Sequence, residues 1–169
     1  MSADTIAILA TGPSMSQHVA DGIRALPRIA VSNAYTLAPD ALALVAQDYE
    51  WWTTYRPDFA GRKFSTNWIG GFGNVERIGD DTQLNSGALA IKVARDVFKA
   101  RRILLFGFDQ HGSHYFGSHR EGLQDTTAQR FKVFADQFDL IARECRGDGI
   151  DVRNCTPGSA LRCFPFAWD

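Results

Sequence analysis

The chain alternates between short apolar runs and longer segments in which apolar residues recur every three or four positions. Runs of about four to eight apolar residues that stop at turn-forming residues are typical of buried strands. They predict strands within residues 4–11, 28–33, 43–48, 102–109 and 150–153, with a less regular candidate at residues 62–67.

Three longer segments have the spacing of helices with one buried face. The first begins at a Ser14-x-x-Gln17 capping box, which predicts a helix that starts directly after Ser14 and ends before Pro27. The other two helices are expected over residues 86–100 and 127–146, and a short helix is expected around residues 39–42.

The order of these elements predicts the fold class. A strand, a turn, a helix and a further strand follow one another at the start of the chain, which favours parallel strands covered by helices. We therefore expect an α/β fold, a three-layer Rossmann-like domain with a mostly parallel sheet. No repeat, low-complexity segment or linker divides the chain, so residues 1–169 are predicted to form one domain.

Composition and charge narrow the classes of function. Of 169 residues, 45% are apolar and 22% are charged, which excludes wholesale disorder. The formal net charge of −1 gives no support to an extended nucleic-acid surface, and no apolar run is long enough for a membrane span. Three cysteines without a CxxC pair suggest reduced thiols, so we expect a cytoplasmic protein, either a monomer or an oligomer.

Polar residues follow several of the predicted strands. In open parallel sheets, ligands bind beyond the carboxyl ends of the strands. Residues 11–14, 32–35, 47–48 and 109–111 should therefore meet at one rim, although each turn taken singly could be an ordinary polar turn. The candidate ligand-contacting residues on this rim are Gly12, Pro13, Ser14, Asn33 and Asp48.

Two of the predicted helix starts suit an anion. Gly12 allows close approach of the backbone, and free N–H groups at a helix start favour phosphate. A similar start occurs at Asn85, Ser86 and Gly87. Together they predict a phosphate or diphosphate site, although neither G-x-G-x-x-G nor G-x-x-x-x-G-K-[ST] is present.

A polar loop contains three of the four histidines, His111, His114 and His119. Histidine is the side chain best suited to proton transfer near neutral pH. Asp109, His111 and His114 could instead be metal ligands, but their spacing matches no zinc signature, so we expect no metal. The sequence lacks G-x-S-x-G, which disfavours the nucleophile turn of an α/β-hydrolase. It also lacks CxxC, which disfavours a thiol nucleophile.

An aromatic-rich segment leaves two interpretations open. Trp51, Trp52, Tyr55 and Trp68 could stack on a base or sugar, or they could belong to the core.

The combination and order of four motifs carry a family resemblance. These are TGPSM at residues 11–15, SNAY at 32–35, NSGALAIKVARDVFKARRILLFGFD at 85–109 and GSHYFGSH at 112–119. The chain resembles the small bacterial sialyltransferases. It is also similar to the motility-accessory-factor and 6-hydroxymethylpterin diphosphokinase-like families, which share the same skeleton.

The resemblance implies a nucleotide-binding α/β fold and metal-independent transfer from a CMP-activated sugar. It implies that His114 or His119 is the general base on an acceptor hydroxyl, that Asp109 shapes the rim and belongs with them to the catalytic residues, and that Tyr115 contacts the donor phosphate. It places around the nucleotide Gly12, Ser14, Asn33, Ser86 and Gly87.

The sequence leaves three functions open. The first is a glycosyltransferase-like enzyme without a cofactor, whose partner is a nucleotide or nucleotide-sugar substrate. The second is a binding module, such as a phage-encoded nucleotide-handling protein, that keeps the pocket without the chemistry. The third is a diphosphokinase that uses ATP and Mg²⁺, for which Asp48 and Asp109 are the candidate carboxylates.

Overall fold

Seven parallel strands form one sheet in the computed structural model, which describes residues 4–72, 74–79, 84–120 and 122–168. The sheet order is β5-β4-β3-β2-β1-β6-β7, and every described pairing is parallel. The strands are β1 (Thr5–Leu9), β2 (Arg28–Val31), β3 (Ala43–Val45), β4 (Arg62–Ser65), β5 (Val75–Arg77), β6 (Arg102–Phe106) and β7 (Asp151–Asn154).

Helices cover both faces of this sheet, so the predicted three-layer α/β class is confirmed. One core contains the buried residues of the third and fourth helices, and a second core on the other face contains those of the first and second. The helices are α1 (Gln17–Gly22), α2 (Tyr49–Tyr55), α3 (Ser86–Asp96) and α4 (Ala128–Gly147), with a 3₁₀ helix at Ser32–Thr36.

Helix α3 is the most deeply buried of these helices. Seven of its residues, namely 87–91 together with Val93 and Ala94, are buried, and it contacts β1, β2, β3 and β4. Its glycine and alanines allow this close approach to the sheet. The start of α3 is consequently held firmly against the carboxyl ends of the strands.

The first predicted helix starts later than its capping box indicated. Helix α1 begins at Gln17, and Ser16 is the N-cap, because its side chain accepts a hydrogen bond from the N–H group of Val19. The Ser14–Gln17 capping box was therefore wrong. The Ser14 hydroxyl instead donates to Asp109 on the far side of the turn.

Other departures concern short elements. The helix expected around residues 39–42 is absent, and the 3₁₀ helix Ser32–Thr36 lies earlier in that connection. Strand β5 and helix α2 were not predicted, and α2 forms because the buried Trp51 and Trp52 anchor one of its faces. Within the described ranges, no helix is both long and apolar enough to cross a membrane.

Gly12 and Asp109 join the segments that follow β1 and β6. The Gly12 N–H group donates to the carbonyl of Gly107 at 2.9 Å, and a Cβ atom on Gly12 would overlap Asp109 Oδ2. The space that a side chain would need here is therefore filled by protein rather than left open for a ligand.

We expect Gly12→Ala to destabilise the fold without any ligand present, by about 1–3 kcal/mol, because the added methyl group overpacks this contact. Denaturant unfolding followed by circular dichroism measures the change. Gly22→Ala is the matched control, because a Cβ atom at this end of α1 meets nothing within 4 Å. Equal unfolding free energies for the two variants would contradict the packing role of Gly12.

Candidate functional site

A cavity of about 570 Å³ lies at the carboxyl ends of the parallel strands. Its walls include residues that directly follow four strands, as expected from the predicted rim. These are Thr11 and Gly12 after β1, Ser32 after β2, Gln47 and Asp48 after β3, and Gln110 and His111 after β6. The position is the usual ligand site of an open parallel sheet.

The start of α3 forms one wall of this cavity. Asn85 caps the helix by accepting from the N–H group of Ala88 at 3.0 Å, and Gln137 of α4 holds the Asn85 backbone and side chain at 2.6 and 2.9 Å. Ser86 and Gly87 occupy the first turn, where N–H groups have no acceptor within the helix. The Ser86 hydroxyl accepts from the N–H group of Gln47 at 3.0 Å, which ties the start of α3 to the segment that follows β3.

The Gly12–Ser14 turn, which was predicted to form one anion site together with Asn85–Gly87, has its donors bonded within the protein. Both the N–H group and the hydroxyl of Ser14 donate to Asp109, at 3.3 and 2.8 Å. Only Gly12 of this turn lines the cavity, whereas Pro13 and Ser14 do not. A carboxylate thus already occupies the donors that were expected to bind phosphate.

Asp109 is a packing residue rather than an acid on the cavity wall. It is 3% exposed, accepts both Ser14 bonds and is not among the cavity-lining residues. These hydrogen bonds hold together the loops that follow β1 and β6. Its predicted role among the catalytic residues is therefore not supported by its position.

His114 and His119 both line the cavity, with ring centroids 4.6 Å apart. His114 Nδ1 lies 2.9 Å from the Thr11 hydroxyl, and His119 Nδ1 lies 2.9 Å from the Tyr55 hydroxyl. Because each hydroxyl can accept from Nδ1–H, each ring can present an unprotonated Nε2. The predicted histidine pair is thus assembled in one cavity and oriented by two hydroxyl groups.

Burial lowers the pKa of His114, and the neighbouring His119 lowers it further, whereas Asp125 raises it. Burial likewise lowers the pKa of His119, against the carboxylates of Asp125 and Asp48. Since the ordinary pKa of histidine is about 6.5, both rings are neutral at neutral pH. A neutral imidazole can accept a proton or bind a metal ion.

Asn33 and Tyr115 form hydrogen bonds within the protein rather than along the cavity wall. The Tyr115 hydroxyl donates to the carbonyl of Asn33 at 2.8 Å, and Asn33 Oδ1 accepts from the Trp51 indole at 2.7 Å. Neither Asn33 nor Tyr115 is among the cavity-lining residues. Their predicted contacts with a ligand are therefore replaced by contacts within the protein.

The aromatic residues divide between the core and the cavity. Trp51 and Trp52 are buried, which supports the core interpretation, although Trp51 also reaches the cavity wall. Tyr55 contacts His119, and Trp68 is 84% exposed. Three phenylalanines of α4 also line the cavity and were not among the predicted site residues, namely Phe131, Phe134 and Phe138.

The metal-ligand set considered from the sequence is not brought together. Asp109 is engaged by Ser14, and His111 Nε2 lies 3.1 Å from the carbonyl of Gly158. A different set, His114, His119 and Asp125, places one potential ligand atom of each residue within 4.8 Å of the others. Asp125 was missed because it lies in a polar stretch that carries no spacing signal.

The cysteines take no part in this site. Cys145, Cys155 and Cys163 are unpaired, and none lines the cavity. Burial raises the pKa of each thiol, to about 12 for Cys163. They are therefore protonated at neutral pH and poor nucleophiles.

Comparisons with known proteins return no match from family models, from curated proteins or from solved structures. The resemblance to the small bacterial sialyltransferases consequently stays a prediction that depends on the four short motifs and their order.

We expect two substitutions to move the pKa of His114 in opposite directions. His119→Gln removes a neighbour that becomes positively charged in the acid range where His114 titrates, and should raise the pKa. Asp125→Asn removes a negative charge and should lower it. An NMR titration of the imidazole signals, with a chelator present in the buffer, measures both changes in pKa. Shifts in the same direction would contradict this electrostatic arrangement.

The lowered pKa values of His114 and His119 also predict how the unfolding free energy changes with pH. Because both imidazoles have lowered pKa values in the folded state, the unfolded chain binds more protons below about pH 6.5. Their contribution is therefore complete above that pH and is lost on acidification through the folded pKa. Replacing both histidines with glutamine should flatten the acid decline of the unfolding free energy.

Proposed function

We propose that the protein is a glycosyltransferase-like enzyme that binds a nucleotide-activated donor of the CMP-sugar type in the cavity. The observation that carries the proposal is that the start of α3 and the two oriented histidines line the same space. The start of α3 can hold a phosphate, and the histidines can accept a proton. The motif resemblance supplies the donor class.

The start of α3 is proposed to bind the donor phosphate. Its first-turn N–H groups and helix dipole favour an anion, and the Ser86 hydroxyl adds a donor. Arg130 of α4 also lines the cavity and contributes a positive charge. Because Asp48, Glu50 and Asp125 line it as well, the anion is expected near α3 rather than near these carboxylates.

His114 is proposed to be the general base. Nε2 of the neutral ring takes the proton of the acceptor hydroxyl while the acceptor oxygen forms a bond to the anomeric carbon of the sugar. The bond between that carbon and the phosphate oxygen breaks, and CMP leaves with the electron pair. The Thr11 hydroxyl keeps Nδ1 protonated during the step, and His119 is the second candidate for the base.

The proposed step needs no metal ion. The diphosphokinase alternative is less well supported, because only Asp48 of its two candidate carboxylates lines the cavity. A binding module without catalytic activity would use the same cavity. A measurement of donor turnover distinguishes that alternative from the enzyme.

We expect CMP to stabilise the protein more than UDP, GDP or ATP does, in a chelator and without added Mg²⁺. A ligand at 100 times its Kd adds about 2.7 kcal/mol to the unfolding free energy, which a thermal-shift measurement detects. His114→Ala should slow CMP release from a CMP-sugar by about 10²–10⁴-fold and leave the CMP shift unchanged.

His18→Ala is the matched control for that experiment, because His18 is exposed on α1. It should keep both turnover and the CMP shift. Wild-type turnover in both His114→Ala and His119→Ala would contradict the base assignment. Binding of CMP without any release from the donor would favour the binding module.

We expect Arg130→Gln to weaken CMP binding by about 10-fold to 100-fold, as the loss of a charged hydrogen bond does. Lys132→Gln removes the same charge from an exposed position on α4 that does not line the cavity. Isothermal titration of CMP into each variant gives the comparison. Equal losses in the two variants would indicate a general charge effect and would count against a phosphate contact at Arg130.

A further inference from the structure

His114, His119 and Asp125 all line the cavity and carry ligand atoms within 4.8 Å of one another. We propose that these three side chains form a binding site for a divalent transition-metal ion such as Zn²⁺. The site is additional to the proposed function, and its argument does not rest on that function.

The hydrogen bonds of the two rings are those of metal-binding histidines. A histidine ligand usually engages its second ring nitrogen with a neighbouring polar group, which fixes the ring and its tautomer. Thr11 and Tyr55 do this at the Nδ1 atoms of His114 and His119, each at 2.9 Å. In the tautomer in which Nδ1–H of each ring donates to its hydroxyl partner, Nε2 carries the lone pair that an ion needs.

Asp125 supplies the negative charge that two neutral rings lack. Its Oδ1 atom accepts from the N–H group of His119 at 2.9 Å, so the carboxylate is tied to the backbone of a residue that would share the ion with it. Asp48 is close enough to His119 to act on it electrostatically and adds further negative potential. A cation is therefore favoured at this position more strongly than it would be by two neutral histidines alone.

The spacing requires only a small adjustment. Ligand atoms around a tetrahedral zinc ion lie about 3.3 Å apart, so atoms within 4.8 Å need to move by about 1 Å. Asp125 is exposed and its carboxylate can turn. Two imidazoles and one carboxylate suit Zn²⁺, Co²⁺ or Ni²⁺ better than Mg²⁺ or Ca²⁺.

An ion at this site would use the same lone pair that the proposed general base needs. The metal-bound form is therefore expected to be inhibited in donor cleavage, and the chelated form to be active. This competition follows if both proposals hold, but ion binding can be measured without any donor.

The test is the binding of Zn²⁺ and of Co²⁺ to the full chain at neutral pH, by isothermal titration and by the visible spectrum of Co²⁺. We expect one ion per chain, with binding abolished in His119→Ala and Asp125→Asn and retained in the control variants His18→Ala and His111→Ala. Tyr55→Phe keeps all three ligands and should weaken binding by about 10-fold to 100-fold. Circular dichroism confirms that each variant is folded.

Several results would overturn the site. They are no binding to the wild-type chain, unchanged affinity in Asp125→Asn, or a sulfur-to-cobalt charge-transfer band that assigns the ion to the cysteines. If CMP release is absent while the ion binds as expected, only the proposed function fails. If CMP release occurs in a chelator and no ion binds, only the metal site fails.

Discussion

A buried carboxylate between two loops positions the cavity. Asp109, which follows β6, accepts both hydrogen bonds of Ser14, and Gly12 leaves room for it. This contact fixes the turn that follows β1. Thr11 precedes that turn, and its carbonyl accepts from the N–H group of Tyr115 while its hydroxyl meets His114. The orientation of the histidine loop thus depends on a contact between two residues, Ser14 and Asp109, that do not line the cavity.

Much of the fold could be predicted from the sequence because a strand in a parallel sheet is buried on both faces. Such strands are runs of apolar residues, as β1 and β3 show, and their carboxyl ends lie together wherever the sheet is parallel. The prediction that polar residues after several strands meet at one rim follows from this rule alone. Strand β5 could not be found, because its three residues are only partly buried or exposed and carry no apolar pattern.

The candidate site was predictable only at the level of segments. A serine and an aspartate after apolar strands look the same whether they face a ligand or each other, and Ser14 and Asp109 are separated by 95 positions. The sequence could therefore not reveal the hydrogen bonds between them, and its pattern predicted Ser14 as part of an anion site. Asn33 and Tyr115 were similarly assigned to a ligand, although they bond across a separation of 82 positions.

The two predicted histidines both line the cavity, but the chemistry that they can perform depends on partners from other segments. Tyr55 comes from α2, which the sequence pattern did not reveal, and Asp125 lies just before α4. Burial keeps both rings neutral, while the neighbouring carboxylates favour a positive charge beside them. The start of α3, which lines the same cavity, favours a negative charge. A cavity whose lining combines these two preferences suits an anion held at α3 and a proton or metal ion held at the histidines.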